Sequence, residues 1–200
     1  MNRTLLFVLS AWALAGCAGS SPSISEYTIL PSPTPEVRRG VPYSAATLRI
    51  APTRSLPSLS SRAIYYVRGE NEIGTYLYSR WSDTPSSMIE RFLASSLEEH
   101  RVFSALLPSN SSAQGSRLLE SDLAAFYHRF LADGSSEGVI DITYRLVDPH
   151  SKTTIASRRF QIAAPAPTND AAGGVHALSS ATRLLGEQCT QWLIQLQEKP

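Results

Sequence analysis

Cysteine is scarce in this sequence, which contains only Cys17 and Cys189. Neither belongs to a CxxC pair, and neither lies at a zinc-binding or catalytic spacing from a histidine. A disulfide framework and a cysteine-based metal site are therefore excluded. Cys189 occupies an apolar position of a predicted helix, and we interpret it as a small core residue.

The sequence also lacks an excess of charge of either sign. It has 18 basic and 17 acidic residues, and only Lys152 and Lys199 are lysines. No run of basic residues is longer than two. Nucleic-acid binding and a polybasic membrane footprint both need clustered positive charge, so this balance argues against both.

Catalytic motifs are missing as well. The sequence contains no GxSxG, no HExxH and no P-loop. The histidines are scattered without metal-ligand spacing, and we interpret all four as surface or cap residues: His100, His128, His150 and His176. Asp122 and His128 would share one face of a regular strand, as a solvated pair rather than an acid–base couple. The sequence predicts no enzyme, no cofactor and no metal site.

No apolar run is long enough to span a membrane, which needs about 20 residues. The run from Leu5 to Ala15 follows Arg3 and precedes small residues, as in an export signal. Leu14-Ala15-Gly16-Cys17 resembles the bacterial lipobox. That resemblance implies that residues 1–16 are a cleaved signal peptide and that Cys17 carries diacylglycerol and an amide-linked acyl chain such as palmitate. Several chains would anchor the protein stably in a membrane.

The residue after the cysteine bears on which membrane that is. Ala18 stands there, and by resemblance to the sorting rules of Gram-negative bacteria the absence of Asp implies the outer membrane, facing the periplasm. Removal of residues 1–16 takes away only Arg3 among the charged residues. The mature chain therefore carries 17 basic and 17 acidic residues and has no net charge.

The mature chain divides into a tether and one domain. Residues 17–46 comprise the lipidated cysteine, a small polar tether and a short strand near 26–30, followed by a proline-rich stretch. Residues 47–200 are long enough for a single domain with its own core.

Periodicity predicts an α+β fold for this domain. Thr84-Pro85 is a typical helix start, and a second amphipathic helix extends from Val175 to Leu196. Residues 140, 142, 144 and 146 are apolar and alternate with polar residues, which indicates a sheet with one covered face. The predicted strands are Leu48–Ala51, Ala63–Arg68, Ile73–Tyr78, Val102–Leu107, Arg117–Leu131, Val139–Asp148 and Thr153–Ala163. We expect a two-layer domain, a largely antiparallel sheet with both helices on one face.

Several segments, in this order and spacing, resemble the ABC-type transport auxiliary lipoproteins, the PqiC-like proteins associated with MCE-domain lipid transporters. They are Tyr27–Pro31, Leu48–Pro52, Ile64–Glu72, Tyr78–Trp81, Tyr144–Asp148 and Ser157–Phe160. Ser82-Asp83 departs from the more usual Ala-Glu type of pair, and the polar loop near Asn110 also differs. The resemblance implies a non-catalytic lipoprotein of the outer membrane that contacts an MCE-domain periplasmic protein, assists lipid transport and forms a homo-oligomer.

The segment Ala63–Pro85 is dense in tyrosine and tryptophan and predicts a β-hairpin. Its candidate partner-binding residues are Arg68, Glu70, Asn71, Tyr78, Arg80 and Trp81, since Tyr, Trp and Arg are enriched in interface hot spots. In the alternative interpretation, Tyr66, Tyr76 and Trp81 fill the core, while Arg80 pairs with a carboxylate that fixes the start of the helix.

Two other functions are compatible with the sequence. One is a structural lipoprotein that scaffolds an envelope or secretion complex without a role in lipid transport. The other is a monomeric carrier, which would need an apolar cavity of its own.

Overall fold

The structure is a computed structural model that describes residues 23–30, 44–108, 111–113 and 115–197. The predicted signal peptide, Cys17, Ala18 and the loop around Asn110 lie outside the described residues. No helix within the described ranges is long and apolar enough to cross a membrane.

The expected α+β fold is confirmed, with strands and helices near their predicted positions. β5 extends three residues beyond its predicted end, and β2 begins three residues before the expected start of the domain. The strands are β1 Ser25–Tyr27, β2 Ser44–Ile50, β3 Arg54–Ser55, β4 Ala63–Arg68, β5 Glu72–Trp81, β6 Phe103–Leu107, β7 Arg117–Phe130, β8 Ser136–Asp148 and β9 Thr153–Pro165. The helices are α1 Pro85–Glu99 and α2 Ala171–Gln197, with a 3₁₀ turn at Pro57–Ser60.

Three long antiparallel strands, β7, β8 and β9, form one side of the nine-stranded sheet, with β9 at its edge. Ile140, Ile142, Tyr144 and Leu146 of β8 are all buried, as the alternation predicts. Asp141, Thr143 and Arg145 lie on the other face and are only partly covered. The sheet therefore has one face in the core and one polar face.

The other edge of β7 pairs with three short strands in succession. β2, β3 and β4 all run parallel to it, at the levels of Leu118, Asp122 and Arg129 respectively. β6 then pairs with β2, whereas β5 and β1 extend the sheet beyond β4. The sheet is thus mixed: its long pairings are antiparallel and most of its short ones are parallel.

Helix α1 begins where the sequence predicts. Thr84 is the N-cap, its hydroxyl oxygen accepting a hydrogen bond from the Ser87 amide, and Pro85 occupies the first turn. Asp83 accepts a hydrogen bond from the Thr84 amide at 2.7 Å and pairs with Arg91. The apolar stripe of the helix is buried in the core: Met88, Ile89, Phe92, Leu93 and Leu97.

Helix α2 covers β8 and β9 and packs against α1. Asp170 precedes it and accepts a hydrogen bond from the Gly173 amide at 2.8 Å, as an N-cap does. Leu178, Leu185, Cys189 and Trp192 are buried, which confirms the predicted apolar face. The approach is close, since a Cβ on Gly138 of β8 would lie 2.5 Å from the Leu178 nitrogen.

A β-bulge in β7 changes which of its residues face the core. Before it Leu119, Ser121 and Leu123 are buried, and after it Phe126 and His128 are buried. The extra residue reverses the alternation. Asp122 and His128 therefore lie on opposite faces, so their predicted pairing is wrong.

Candidate docking surface on the β4–β5 hairpin

The tip of the β4–β5 hairpin is a three-residue turn between Arg68 and Glu72. Gly69 adopts a φ of +58°, in the left-handed region where glycine is favoured. Arg68, Glu70 and Asn71 are all exposed, so three of the six predicted partner-binding residues lie together on an accessible surface.

The orientation of Arg68 is determined by the aromatic rings beneath it. Its guanidinium carbon lies 5.1 Å from the centroid of the Tyr66 ring and 4.6 Å from that of the Phe130 ring. Both distances are within the range of a cation–π interaction. Arg68 is thus exposed and held in a restrained position over the two rings.

Trp81 does not belong to the exposed surface. Its side chain is only 1% exposed and packs edge to face against Phe126, with ring centroids 5.6 Å apart. The prediction that Trp81 contacts a partner directly is therefore corrected, and the core interpretation holds for this residue. The reason is an irregularity in β5. Tyr65 pairs with Thr75 and Ala63 pairs with Arg80, so a step of two residues along β4 corresponds to a step of five residues along β5.

Arg80 is exposed but already paired. Its Nη2 lies 3.0 Å from a carboxylate oxygen of Glu26 in β1. Arg62 adds a second contact of 2.6 Å to Glu26, and its Nε donates to the Trp81 carbonyl. The hydrogen bond from Arg80 lowers the pKa of Glu26. The carboxylate partner predicted for Arg80 thus exists, but it holds β1 against β5 instead of fixing the start of α1.

Tyr76 of the hairpin and the buried His128 of β7 form a polar pair on the core side of the sheet. The Tyr76 hydroxyl lies 2.7 Å from Nδ1 of His128, while Nε2 of His128 is buried with no hydrogen-bond partner in the described part of the chain. His128 is fully buried, so its predicted surface position is wrong. Burial raises the pKa of Tyr76 to about 12 and lowers the pKa of His128.

Tyr78, by contrast, is 51% exposed and has exposed apolar neighbours. Ile73 is 61% exposed and Leu77 is 76% exposed, both on the same strand. Sequence reasoning singled out Tyr78 but missed the two aliphatic residues. The available signal was the alternation of Ile73, Thr75 and Leu77 with Gly74 and Tyr76, which separates an outer from an inner face.

The described residues offer little for chemistry. They contain no group of three or more His, Cys, Asp or Glu side chains that could hold a metal ion. Cys189 is buried in the core, and burial raises the pKa of its thiol. What the hairpin offers instead is a polar tip, a paired arginine and an apolar strand, which together suit a binding surface.

A sequence model of one family matches residues 27–189, and the family is described as the ABC-type transport auxiliary lipoprotein component. That family comprises auxiliary transport components and is not an enzyme class. No curated protein is significantly similar in sequence to this chain.

Two solved structures are similar in fold. A protein from Xanthomonas campestris is 18% identical with a TM-score of 0.77, over 88% of this chain and 97% of its own. A hypothetical protein from Chlamydia trachomatis is 7% identical with a TM-score of 0.53, over 75% and 98%. At these identities the likeness concerns the fold alone.

Proposed function

The chain belongs to the ABC-type transport auxiliary lipoprotein family, and from this membership we propose that it is a non-catalytic accessory component of an MCE-type intermembrane lipid transport system. It is anchored in the outer membrane through Cys17 and faces the periplasm. The observation that carries the proposal is the family match over residues 27–189, supported by the lipobox-like Leu14–Cys17.

The partner is an MCE-domain periplasmic protein, bound through the hairpin tip. Arg68, Glu70 and Asn71 support this assignment because they are exposed and adjacent, and Arg68 is held by two aromatic rings. Trp81 has no part in it, since its indole lies in the core.

A carrier with its own lipid pocket is less well supported. A groove of about 300 Å³ lies between the end of α1 and β6. Glu98 and Arg101 contribute to its lining beside Leu97 and Phe103. Charged side chains in an open groove do not suit an acyl chain.

The protein also assembles as a homo-oligomer through β9. Within the described residues, this strand of 13 residues pairs only with β8, so its second edge can accept a strand from another subunit. Native mass spectrometry of the mature protein tests this. A monomer at all concentrations would contradict the assembly.

Recovery of partners from membranes tests the main proposal. Lipidated protein is isolated in mild detergent, and the associated proteins are identified by mass spectrometry. We expect an MCE-domain protein with the wild type, and its loss with Glu70→Lys/Asn71→Lys at the tip. Glu187→Lys/Gln188→Lys, on the exposed face of α2, introduces the same charge change elsewhere and should retain the partner.

Two other results would contradict the proposal. Recovery of only the protein itself and structural envelope components would favour the scaffold function. Equal loss of the partner with the tip variant and the α2 variant would show that the tip is not the contact. A Cys17→Ser form, run in parallel, reports whether the anchor is needed for recovery.

A further inference from the structure

Exposed apolar side chains are concentrated beside β1 and β5. Of the eight large apolar residues that are exposed in the described part of the chain, five lie on β5 or within three residues of β1: Ile24, Leu30, Ile73, Leu77 and Tyr78. Single exposed apolar residues need no explanation, whereas a group of them indicates an interaction site. We name Ile24, Ile73, Leu77 and Tyr78 the β5 strip.

The strand pairing places Ile24 in this group. β1 runs parallel to β5, with Ser25 level with Ser79. Because the strands are parallel, the residue before Ser25 lies on the Tyr78 side of the pair. Ile24, which is 54% exposed, therefore continues the apolar surface of β5 across to β1.

The proposed anchor lies a short distance along the chain from this surface. Cys17 precedes Ser25 by eight residues, which can span at most about 28 Å when fully extended. Ile73 and Ser79 are six residues apart on one strand, which is at most about 20 Å. A lipid on Cys17 therefore restricts the β5 strip to the neighbourhood of the bilayer in every molecule, whatever partner is present.

The charged residues around the strip indicate whether a membrane contact would depend on anionic lipid or on apolar side chains. Arg68 and Arg80 are balanced by Glu70 and Glu72, and Arg80 is already paired with Glu26. A contact that depends on anionic lipid would need an excess of basic residues. Exposed aliphatic side chains with a tyrosine instead suit the interfacial region of a bilayer, where tyrosine is enriched.

We propose that the β5 strip lies in the interfacial region of the membrane that holds the lipid anchor. Ile24, Ile73, Leu77 and Tyr78 enter the boundary between headgroups and acyl chains. Strand β5 then lies along the membrane surface and leaves the hairpin tip free for the protein partner. This inference rests on the proposed lipidation of Cys17, and its test separates the two.

Fluorescence quenching in vesicles tests the contact. The full mature protein, its acylation verified by mass, carries Leu77→Cys labelled with an environment-sensitive dye. It is reconstituted in phosphatidylethanolamine–phosphatidylglycerol vesicles containing a headgroup-level nitroxide lipid. Acylated Cys17 and buried Cys189 leave the new thiol as the reactive one. Gln188→Cys is the control, at an exposed position of α2, the helix that packs on β8 and β9 away from the β5 strip.

We expect strong quenching of the label at residue 77 and little at residue 188. Neither result should change with salt or when phosphatidylglycerol is replaced by a zwitterionic lipid. In a Cys17→Ser background, Leu77→Ser should lower vesicle partitioning about tenfold, as the loss of one buried leucine side chain predicts. Leu56→Ser, at an exposed leucine outside both the β5 strip and β9, should leave partitioning unchanged.

The outcomes are distinguishable. Acylated protein with no quenching at residue 77 overturns the membrane contact and leaves the anchor intact. If the same Leu77→Ser change then abolishes recovery of a protein partner, the strip is a protein-docking surface instead. Protein without acyl chains overturns the anchor, and the quenching is then measured in the Cys17→Ser background. Quenching in that background supports the membrane contact of the β5 strip, and a lack of quenching overturns that contact as well as the anchor.

Discussion

The hydroxyl of Tyr76 on β5 lies 2.7 Å from Nδ1 of His128 on β7, across the intervening strand β4. Helix α2 covers this pair so closely that a Cβ on Gly174 would lie 2.7 Å from the imidazole ring. In the described part of the chain, Asp170 and Arg68 are the charged groups that act on His128. Beside the backbone pairing of β4 with β7, one side-chain hydrogen bond thus links β5 to β7 beneath the start of α2.

Stability should decrease as the pH falls below about 6.5, because burial lowers the pKa of His128 in the folded protein. Below the unfolded pKa, the unfolded chain binds a proton that the folded chain does not, which favours unfolding. The effect is at most about 1.4 kcal/mol per pH unit. Urea unfolding at pH 7.5 and 5.0 measures it. The same pH dependence in His128→Asn would contradict this assignment, and His150→Asn, on an exposed turn, is the control.

Tyr76→Phe should lower the free energy of unfolding by about 1–2 kcal/mol, because it leaves both ring nitrogens of His128 without a partner in a buried position. Tyr78→Phe removes a hydroxyl from an exposed ring on the same strand and should have almost no effect. Chemical denaturation of both variants tests the difference. Equal free energies for the two would show that the hydrogen bond contributes nothing.

Trp81→Ala should destabilise the protein by about 3–5 kcal/mol, since it removes a large buried side chain that packs on Phe126. Tyr78→Ala should change the free energy of unfolding by no more than about 0.5 kcal/mol. Thermal and urea unfolding measure both. A small cost for Trp81→Ala would show that the indole is not part of the core. Because Trp81→Ala is expected to destabilise the fold, loss of partner binding in this variant would not identify Trp81 as a residue that contacts the partner.

Gly138→Ala should cost about 1–3 kcal/mol, because the added Cβ would lie 2.5 Å from the Leu178 nitrogen and 2.6 Å from the Ala177 carbonyl carbon. Both are backbone atoms of α2, so the helix has to move away from β8. Ser157→Ala is the control. It removes a hydroxyl from an exposed side chain of β9 and adds no atom, so it should leave the free energy of unfolding unchanged. A neutral Gly138→Ala would indicate a wider gap between helix and sheet.

Asp122→Asn should reduce the loss of folding stability that the protein shows at acid pH. Hydrogen bonds from Arg54 and Arg145 lower the pKa of Asp122 to about 2. Because this pKa is lowered on folding, ionised Asp122 stabilises the folded state at pH values above its unfolded pKa of 3.8. This stabilisation is lost as the pH falls to about 2. The carboxylate is partly exposed, so we expect about 1 kcal/mol or less. Unfolding free energies at pH 5 and 2.5 test this.

Glu70→Gln is the matched control for Asp122→Asn. Glu70 forms no ion pair among the described residues, so this change should leave the acid profile as it is in the wild type. An Asp122→Asn profile that coincides with that of Glu70→Gln would show that the arginine contacts do not stabilise the fold.

The positions of strands and helices were largely predictable, because the signals for them are local. The alternation in β8 depends only on the pleat of a strand, and its apolar side is indeed the buried one. The start of α1 follows from a threonine cap and a proline in the first turn. The apolar face of α2 likewise follows from helical periodicity.

The candidate surface was less predictable, because bulges broke the alternation on which it depended. A regular β5 would place Tyr78 on the same face as Tyr76 and Trp81 on the opposite face. The irregularity between Thr75 and Arg80 reverses this, exposing Tyr78 and burying Trp81. The bulge in β7 likewise directs His128 into the core.

By itself, then, the sequence determined the elements, the covered face of the sheet and the lipobox-like start, since each follows from the order of neighbouring residues. Tertiary structure alone decided that β2, β3 and β4 dock successively on β7, that Arg80 holds β1, and that apolar side chains collect beside β5. These features depend on pairing between segments far apart in the chain. A single inserted residue moves every following side chain of a strand to the other face of the sheet, and local periodicity in the sequence does not predict such an insertion.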